Sequence, residues 1–314
     1  MTDRRIPLVI DTDPGVDDTL AILLINAHRD KYDIRAINPV HGNVHYGDTS
    51  TNAVRLAEYL NIDCRIGKGA VKPVIRAART AGTVHGSGGL GGYDLPETDR
   101  QFDEKYAWDV LYEEAVKAGG ELELVTLGPV TNVAIAFLAH PDLKNYIKKI
   151  YSMAGTAGKG NTNAFAEFNV YVDPEAFQIL VSSGVPVYMC GLDGNASCGL
   201  SSEEILSLFH EESRVTDLTG TIASFIEDRN VRKWGMKINT IHDHVTMACY
   251  IYPEIAEFRP MHCSVELAEA DAEGQTKVCE PDEDHPANIW YLVKADKQRY
   301  MEITREMMEF YKLG

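Results

Sequence analysis

Nowhere in the 314 residues does an apolar run reach the length needed to cross a bilayer, and nowhere do two cysteines form a Cys-x-x-Cys pair. The six cysteines, at positions 64, 190, 198, 249, 263 and 279, are scattered, which suits buried thiols in a reduced compartment better than a disulfide framework. Basic residues near the start precede an apolar run too short for a secretory h-region. Positive charge is scarce as well: 30 Lys and Arg face 47 Asp and Glu, a formal net charge of −17. That charge is spread along the chain, so it repels phosphate polymers and anionic membrane surfaces and argues against a nucleic-acid partner. Internal repeats, low-complexity runs and linkers rich in Pro, Gly or Ser are missing too. The class these absences leave is an intracellular enzyme, expected in the cytoplasm.

With 45% hydrophobic and 25% charged residues, the composition is that of an ordinary soluble globular protein with a large core. The first half alternates short apolar strands with amphipathic segments: strand 6–11, helix about 17–28, strand 34–40, helix about 47–60. Further strands read at 123–127, 149–153 and 185–189, with helices at 131–139 and from Pro174 to about Gly184. This rhythm predicts an α/β fold, an open, mostly parallel, Rossmann-like sheet with helices on both faces. From about 200 the pattern turns helical, near 202–211, 214–230 and 243–251, followed by two strands at 262–268 and 275–280 and a last helix from 296. One domain over 1–314 is expected, with a core of about 1–195 and a helical cap, hairpin and helix over about 196–314.

The chemistry concentrates at the first strand-to-helix joint, where Asp11, Asp13, Asp17 and Asp18 crowd into DTDPGVDD. Like charges this close raise one another's pKa, so a cluster of this kind calls for a neutralising cation, and a hard one such as Ca²⁺ or Mg²⁺ suits oxygen ligands. Asp17 as a helix N-cap and Asp18 as a partner of the helix dipole account for part of the cluster. Neither role explains Asp11 and Asp13, which sit at the mouth of a buried parallel strand.

A second acidic position lies in Ile241-His242-Asp243-His244, before an apolar helix. Asp243 reads equally as an N-cap, and His242, its pKa raised by an acidic neighbour, as a general acid. The loop from Asn161 through Asn163, Glu167, Phe168 and Asn169 carries amides and a carboxylate able to bind several hydroxyl groups, as a sugar requires. Glu167 argues against a phosphorylated ligand. The glycine-rich stretch Val84 to Gly92 lacks the strand and helix that a phosphate cradle needs and reads as a loop beside the pocket, with His85 a candidate contact.

Taken together, DTDPGVDD, AEFNVYVDPEA and IHD resemble the inosine-uridine preferring nucleoside hydrolase family from the first strand to the last helix. The resemblance implies hydrolysis of the N-glycosidic bond of ribonucleosides to base and ribose around one Ca²⁺, in a homodimer or homotetramer with an ordinary role in salvage. It implies Asp13, Asp18, Asp243 and the Leu127 carbonyl as metal ligands, with Asp13 also the base and Asp11 a support. Asp17, Asn43, Asn161, Glu167, Asn169 and Asp243 would then grip the ribose, Phe168 would line the pocket, and His242 would assist the leaving base through an oxocarbenium-like transition state.

The chain departs from that pattern in places. Asn239-Thr240-Ile241 replaces the usual Pro-Leu before His-Asp, while Thr12 and Gly194-Asn195 stand at positions expected to lie apart from catalysis. Trp234 in Arg229–Gly235 is a candidate for stacking on the base, or else packs the cap onto the core. Two other readings compete. A phosphatase of the haloacid dehalogenase type shares Asp-x-Asp after a first strand but expects a basic or neutral phosphate site, against which Asp17, Asp18 and Glu167 weigh, and a nucleoside- or Ca²⁺-binding protein without catalysis would have no use for both Asp13 and His242.

Overall fold

The computed structural model describes residues 5–209, 214–268 and 271–313. Strand β1 (Ile6–Thr12) leads to α1 (Val16–Asn26), β2 (Tyr32–Pro39), α2 (Tyr46–Tyr59), β3 (Arg65–Ile66), α3 (Gly82–His85), α4 (Ala107–Ala118), β4 (Leu122–Thr126) and α5 (Thr131–Ala139). Next come β5 (Ile147–Met153), α6 (Phe168–Val172), α7 (Pro174–Val181), β6 (Val187–Cys190), α8 (Leu192–Asn195), α9 (Ser202–Leu208) and α10 (Arg214–Glu227). A π-helical turn, Asp228–Lys233, precedes α11 (His242–Ile251), β7 (Ala256–Val265), β8 (Thr276–Cys279), β9 (Ile289–Ala295) and α12 (Lys297–Leu313). Residues 210 and 211, the end of the helix expected at 202–211, lie outside the described residues.

The nine strands form one sheet in the order β3-β2-β1-β4-β5-β6-β9-β7-β8. Pairing is parallel from β3 through β9, and β7 and β8 extend the sheet antiparallel. The apolar run of β1 shows why the sheet is covered twice. Leu8 and Ile10 join a core with α1, α2, α11 and α12, whereas Val9 points into a second core with α4, α5 and α7. A strand buried on both faces has no reason to alternate, so its sequence reads as a continuous hydrophobic run.

The boundary expected near residue 195 is crossed by the sheet, because β9 pairs with β6 and carries β7 and β8 with it. The elements β3, α3, α4, α6 and α8 up to that point had not been expected, and neither had β9 beyond it. The strand order reverses direction between β1 and β4, and loops at such a switch point open a crevice at the carboxyl ends of the strands. Asp11 lies at the end of one of these strands, Asp13, Asp17 and Asp18 follow it, and Leu127 follows the other.

Candidate active site

The loop after β1 is folded around its own carboxylates. Asp18 lies in the first turn of α1, whose N-cap is Gly15, and its Oδ2 accepts the Gly15 N–H at 3.1 Å. Its Oδ1 accepts the Thr12 hydroxyl at 2.5 Å and the Asp13 N–H at 3.2 Å. Asp18 therefore does stabilise the helix start, but Asp17 is not the N-cap. Asn43, arriving from the loop after β2, donates its amide to Asp18 Oδ2 at 2.8 Å and to the Asp13 carbonyl at 3.0 Å, and its backbone N–H to Asp13 Oδ2 at 2.7 Å. The approach is so close that a Cβ at Gly42 or Gly128 would overlap the Asp13 carboxylate, which explains glycine at both positions. Asp11 is tied by Asn132 Nδ2 at 2.9 Å.

Burial dominates the electrostatics. It lifts Asp11 to about 8, and burial together with the charge of Asp18 raises Asp13 well above the usual carboxylate range. Burial likewise raises Asp17 and Asp18 and lifts Asp243 well above its ordinary value, the other aspartates adding to the last shift. Carboxylate oxygens of Asp17, Asp18 and Asp243 converge within 4.8 Å of one another. Asp13 is not part of that convergence, since its Oδ2 is drawn to Asn43, yet its Oδ1 is buried without a hydrogen-bond partner, as is Asp17 Oδ1. An all-oxygen, anionic donor set with unpaired buried oxygens fits a hard divalent cation.

Asp243 lies in the first turn of α11, but Ile241 is the N-cap and no side chain caps the helix, so the capping role is not the one observed. His242 is partly buried beside it, with its Nδ1 atom buried and, among the described residues, unpartnered, and burial pulls its pKa down to about 4. The direction is opposite to that expected from an acidic neighbour. Asn195 braces this helix start, its amide reaching the Cys190 carbonyl at 3.1 Å, the Thr246 hydroxyl at 3.3 Å and the His242 carbonyl at 3.4 Å. Thr12 and Asn195 thus touch the site's own groups rather than standing apart from it.

The 161–169 loop closes the crevice. Glu167 caps α6 by accepting the Asn169 N–H at 2.8 Å and the Val170 N–H at 3.2 Å, and accepts the Gly155 N–H at 2.9 Å; burial raises it to about 7. Asn169 Nδ2 bonds the Leu127 carbonyl at 2.7 Å and the Met153 carbonyl at 3.0 Å, joining the ends of β4 and β5. Asn161 Oδ1 accepts the Phe168 N–H at 3.0 Å.

One cavity of about 460 Å³ gathers these residues: Asp17, Asn43, His85, Leu127, Asn161, Glu167, Phe168, Asn169, Trp234, His242 and Asp243 all line it. Asp13 and Asp18 are fully buried and are not among the lining residues. His85 accepts the Val16 N–H at 3.3 Å and lies 3.8 Å from Asp17, and burial lowers its pKa to about 4. The glycine-rich stretch packs Gly86 and Gly91 against Phe225. Trp234 lines the cavity and is 51% exposed. The residue that sequence reading passed over is Arg229, which also lines the cavity.

The chain is similar to known proteins along nearly its whole length. The pattern of the inosine-uridine preferring nucleoside hydrolase family matches residues 8–302. The non-specific ribonucleoside hydrolase RihC of Escherichia coli is 32% identical over 308 residues, covering 97% of this chain and 98% of its own. The purine-preferring ribonucleoside hydrolase from Gardnerella vaginalis superposes with a TM-score of 0.89 at 26% identity, over 98% of this chain and 100% of that one. A plant nucleoside hydrolase, PpNRh1, shares the fold with a TM-score of 0.90 at 24% identity, over 97% and 99% of the two chains. An α/β enzyme of the glycosidase class is what the fold and these likenesses define. The chain belongs to the inosine-uridine preferring nucleoside hydrolase family. Among the described residues no helix is long and apolar enough to cross a membrane.

Proposed function

We propose that this enzyme cleaves the N-glycosidic bond of ribonucleosides with water, giving free base and ribose, in the cavity at the β1–β4 switch point. The observation that carries the proposal is the meeting there of hydroxyl-binding groups with buried aspartates. The volume lies within the roughly 300–1,000 Å³ of small-molecule sites. Asp13, Asp18, Asp243 and the Leu127 carbonyl would hold a hard divalent cation, Ca²⁺ on the family likeness. When bound, that ion supplies Lewis-acid help to a water molecule and neutralises the aspartates.

The chain's own groups do the rest. Asp13, with one oxygen fixed by Asn43 and the other unpartnered, takes a proton from the attacking water. Asp17, Asn43, Asn161, Glu167, Asn169 and Asp243 grip the ribose hydroxyls, and Phe168 closes the pocket. Several carboxylates around one sugar favour the positive charge that develops as the glycosidic bond breaks. His242 and His85 border the space for the base, and Trp234 offers it a face for stacking.

Purified protein supplied with Ca²⁺ is expected to release reducing sugar from inosine or uridine, and to stop when the ion is chelated. A folded, cation-loaded protein that releases none from inosine, uridine or cytidine would refute the proposal. The three rates together settle base preference. A subunit count by light scattering tests the expected dimer or tetramer.

A further inference from the structure

The lining of the cavity is acidic, with Asp17, Glu167 and Asp243, and Arg229 is its one permanent cation among the described residues. The π-helical turn carries it there: α10 ends at Glu227, and the wider turn over Asp228–Lys233 resets which side chains face inward. Arg229 is 8% exposed and sits between two rings, its guanidinium carbon 5.6 Å from the centre of Phe225 and 5.3 Å from that of Trp234. Asp17 is the charge that acts on it, and among the described residues Arg229 has no ion pair. A buried cation without a paired anion is costly and calls for a compensating partner.

Its hydrogen bonds do not exhaust it. Nε–H donates to Asn230 Oδ1 at 2.6 Å, and Nη1 donates to the Val84 carbonyl. A guanidinium has five N–H donors, so among the described residues three remain without a partner on a side chain that borders the cavity. Pinning α3 to the π-helical turn explains the two bonds made and leaves those three without a purpose.

We propose that Arg229 is a catalytic residue that takes up the negative charge of the departing base. This rests on the nucleoside hydrolase reading above. As the bond from C1′ to the base nitrogen breaks, its electron pair passes to the base. The guanidinium donates hydrogen bonds to that anion and keeps its own protons. The water oxygen bonds to C1′, one water proton goes to Asp13 and then to solvent, and the base regains a proton from solvent. Nucleoside and water become ribose and neutral base. Fixed donors of this kind act where charge develops, and losing one typically costs about 100-fold or more in kcat.

The test compares cation-loaded unaltered enzyme, Arg229→Gln and Arg229→Lys on inosine, uridine and 4-nitrophenyl riboside, whose leaving group needs no help. Arg229→Gln is expected to lose about 100-fold in kcat on both nucleosides and only a few-fold on the aryl riboside. Arg229→Lys, which keeps the charge and guards against a folding failure of the first variant, is expected to show the same selectivity with a loss of about 10-fold. Equal losses on all three substrates, or a change confined to KM, would make Arg229 a positioning residue and overturn the proposal. If the unaltered enzyme cleaves the aryl riboside but no ribonucleoside, the functional reading itself has failed and this proposal falls with it.

Discussion

At the scale of single residues, the site is governed by the cost of burying carboxylates. Asp18 is held by four donors, from Thr12, Asp13, Gly15 and Asn43, before any ligand arrives. Such a group is aimed rather than free to rotate, and the Thr12 hydroxyl at 2.5 Å is the closest of its guides. Removing an outer guide of a metal ligand typically weakens metal binding by about 10- to 100-fold. Thr12→Val is therefore expected to raise the Ca²⁺ concentration giving half-maximal activity by at least about 10-fold, with kcat at saturating Ca²⁺ little changed. Titrating activity against free Ca²⁺ checks this, and an unaltered midpoint would detach Thr12 from the ion's site.

At the scale of elements, legibility in the sequence followed how much of an element's physics is local. The expected helix at 131–139 is observed as Thr131–Ala139, and α7 begins at Pro174 behind an Asp173 side chain that accepts the Ala176 N–H at 3.2 Å, because caps and turns are written in adjacent residues. β3 is a two-residue strand held by its neighbour, and β9 reads as a strand only once β6 and β7 stand on either side of it. The acidic cluster and IHD marked the site because each is contiguous in the chain. Arg229 did not show, since the π-helical turn that delivers it breaks the 3.6-residue period on which helix reading depends. The pKa of His242 was misjudged for a related reason: the neighbour in sequence is visible, while burial by the rest of the fold is not.

At the scale of the whole molecule, polar bridges join the loops of one sheet face to distant helices. The Thr131 hydroxyl donates to Asp173 at 2.6 Å, so its oxygen accepts from His41 Nε2 at 3.0 Å, and His41 Nδ1 is left buried without a partner. A neutral ring satisfies this arrangement and a protonated one does not, which is why burial lowers His41 to about 4. The folded value lies below the unfolded one, so the contribution to stability is complete above about pH 6.5 and is lost as pH falls toward 4. That loss is on the order of 3 kcal/mol. His41→Gln, which keeps a donor for Thr131 but cannot titrate, is expected to flatten the fall in urea midpoint over that range, and an unchanged slope would remove His41 from the account.

The same fold places a carboxylate with one anchored and one unpartnered oxygen at the end of β1, and the account turns on what that carboxylate does. The most direct measurement is the steady-state rate of Asp13→Asn on inosine with Ca²⁺ in excess, alongside its thermal melt. Loss of the base is expected to cut turnover by about 100- to 10,000-fold while the protein stays folded. Turnover near that of the unaltered enzyme would contradict the assignment and move the base elsewhere in the cavity.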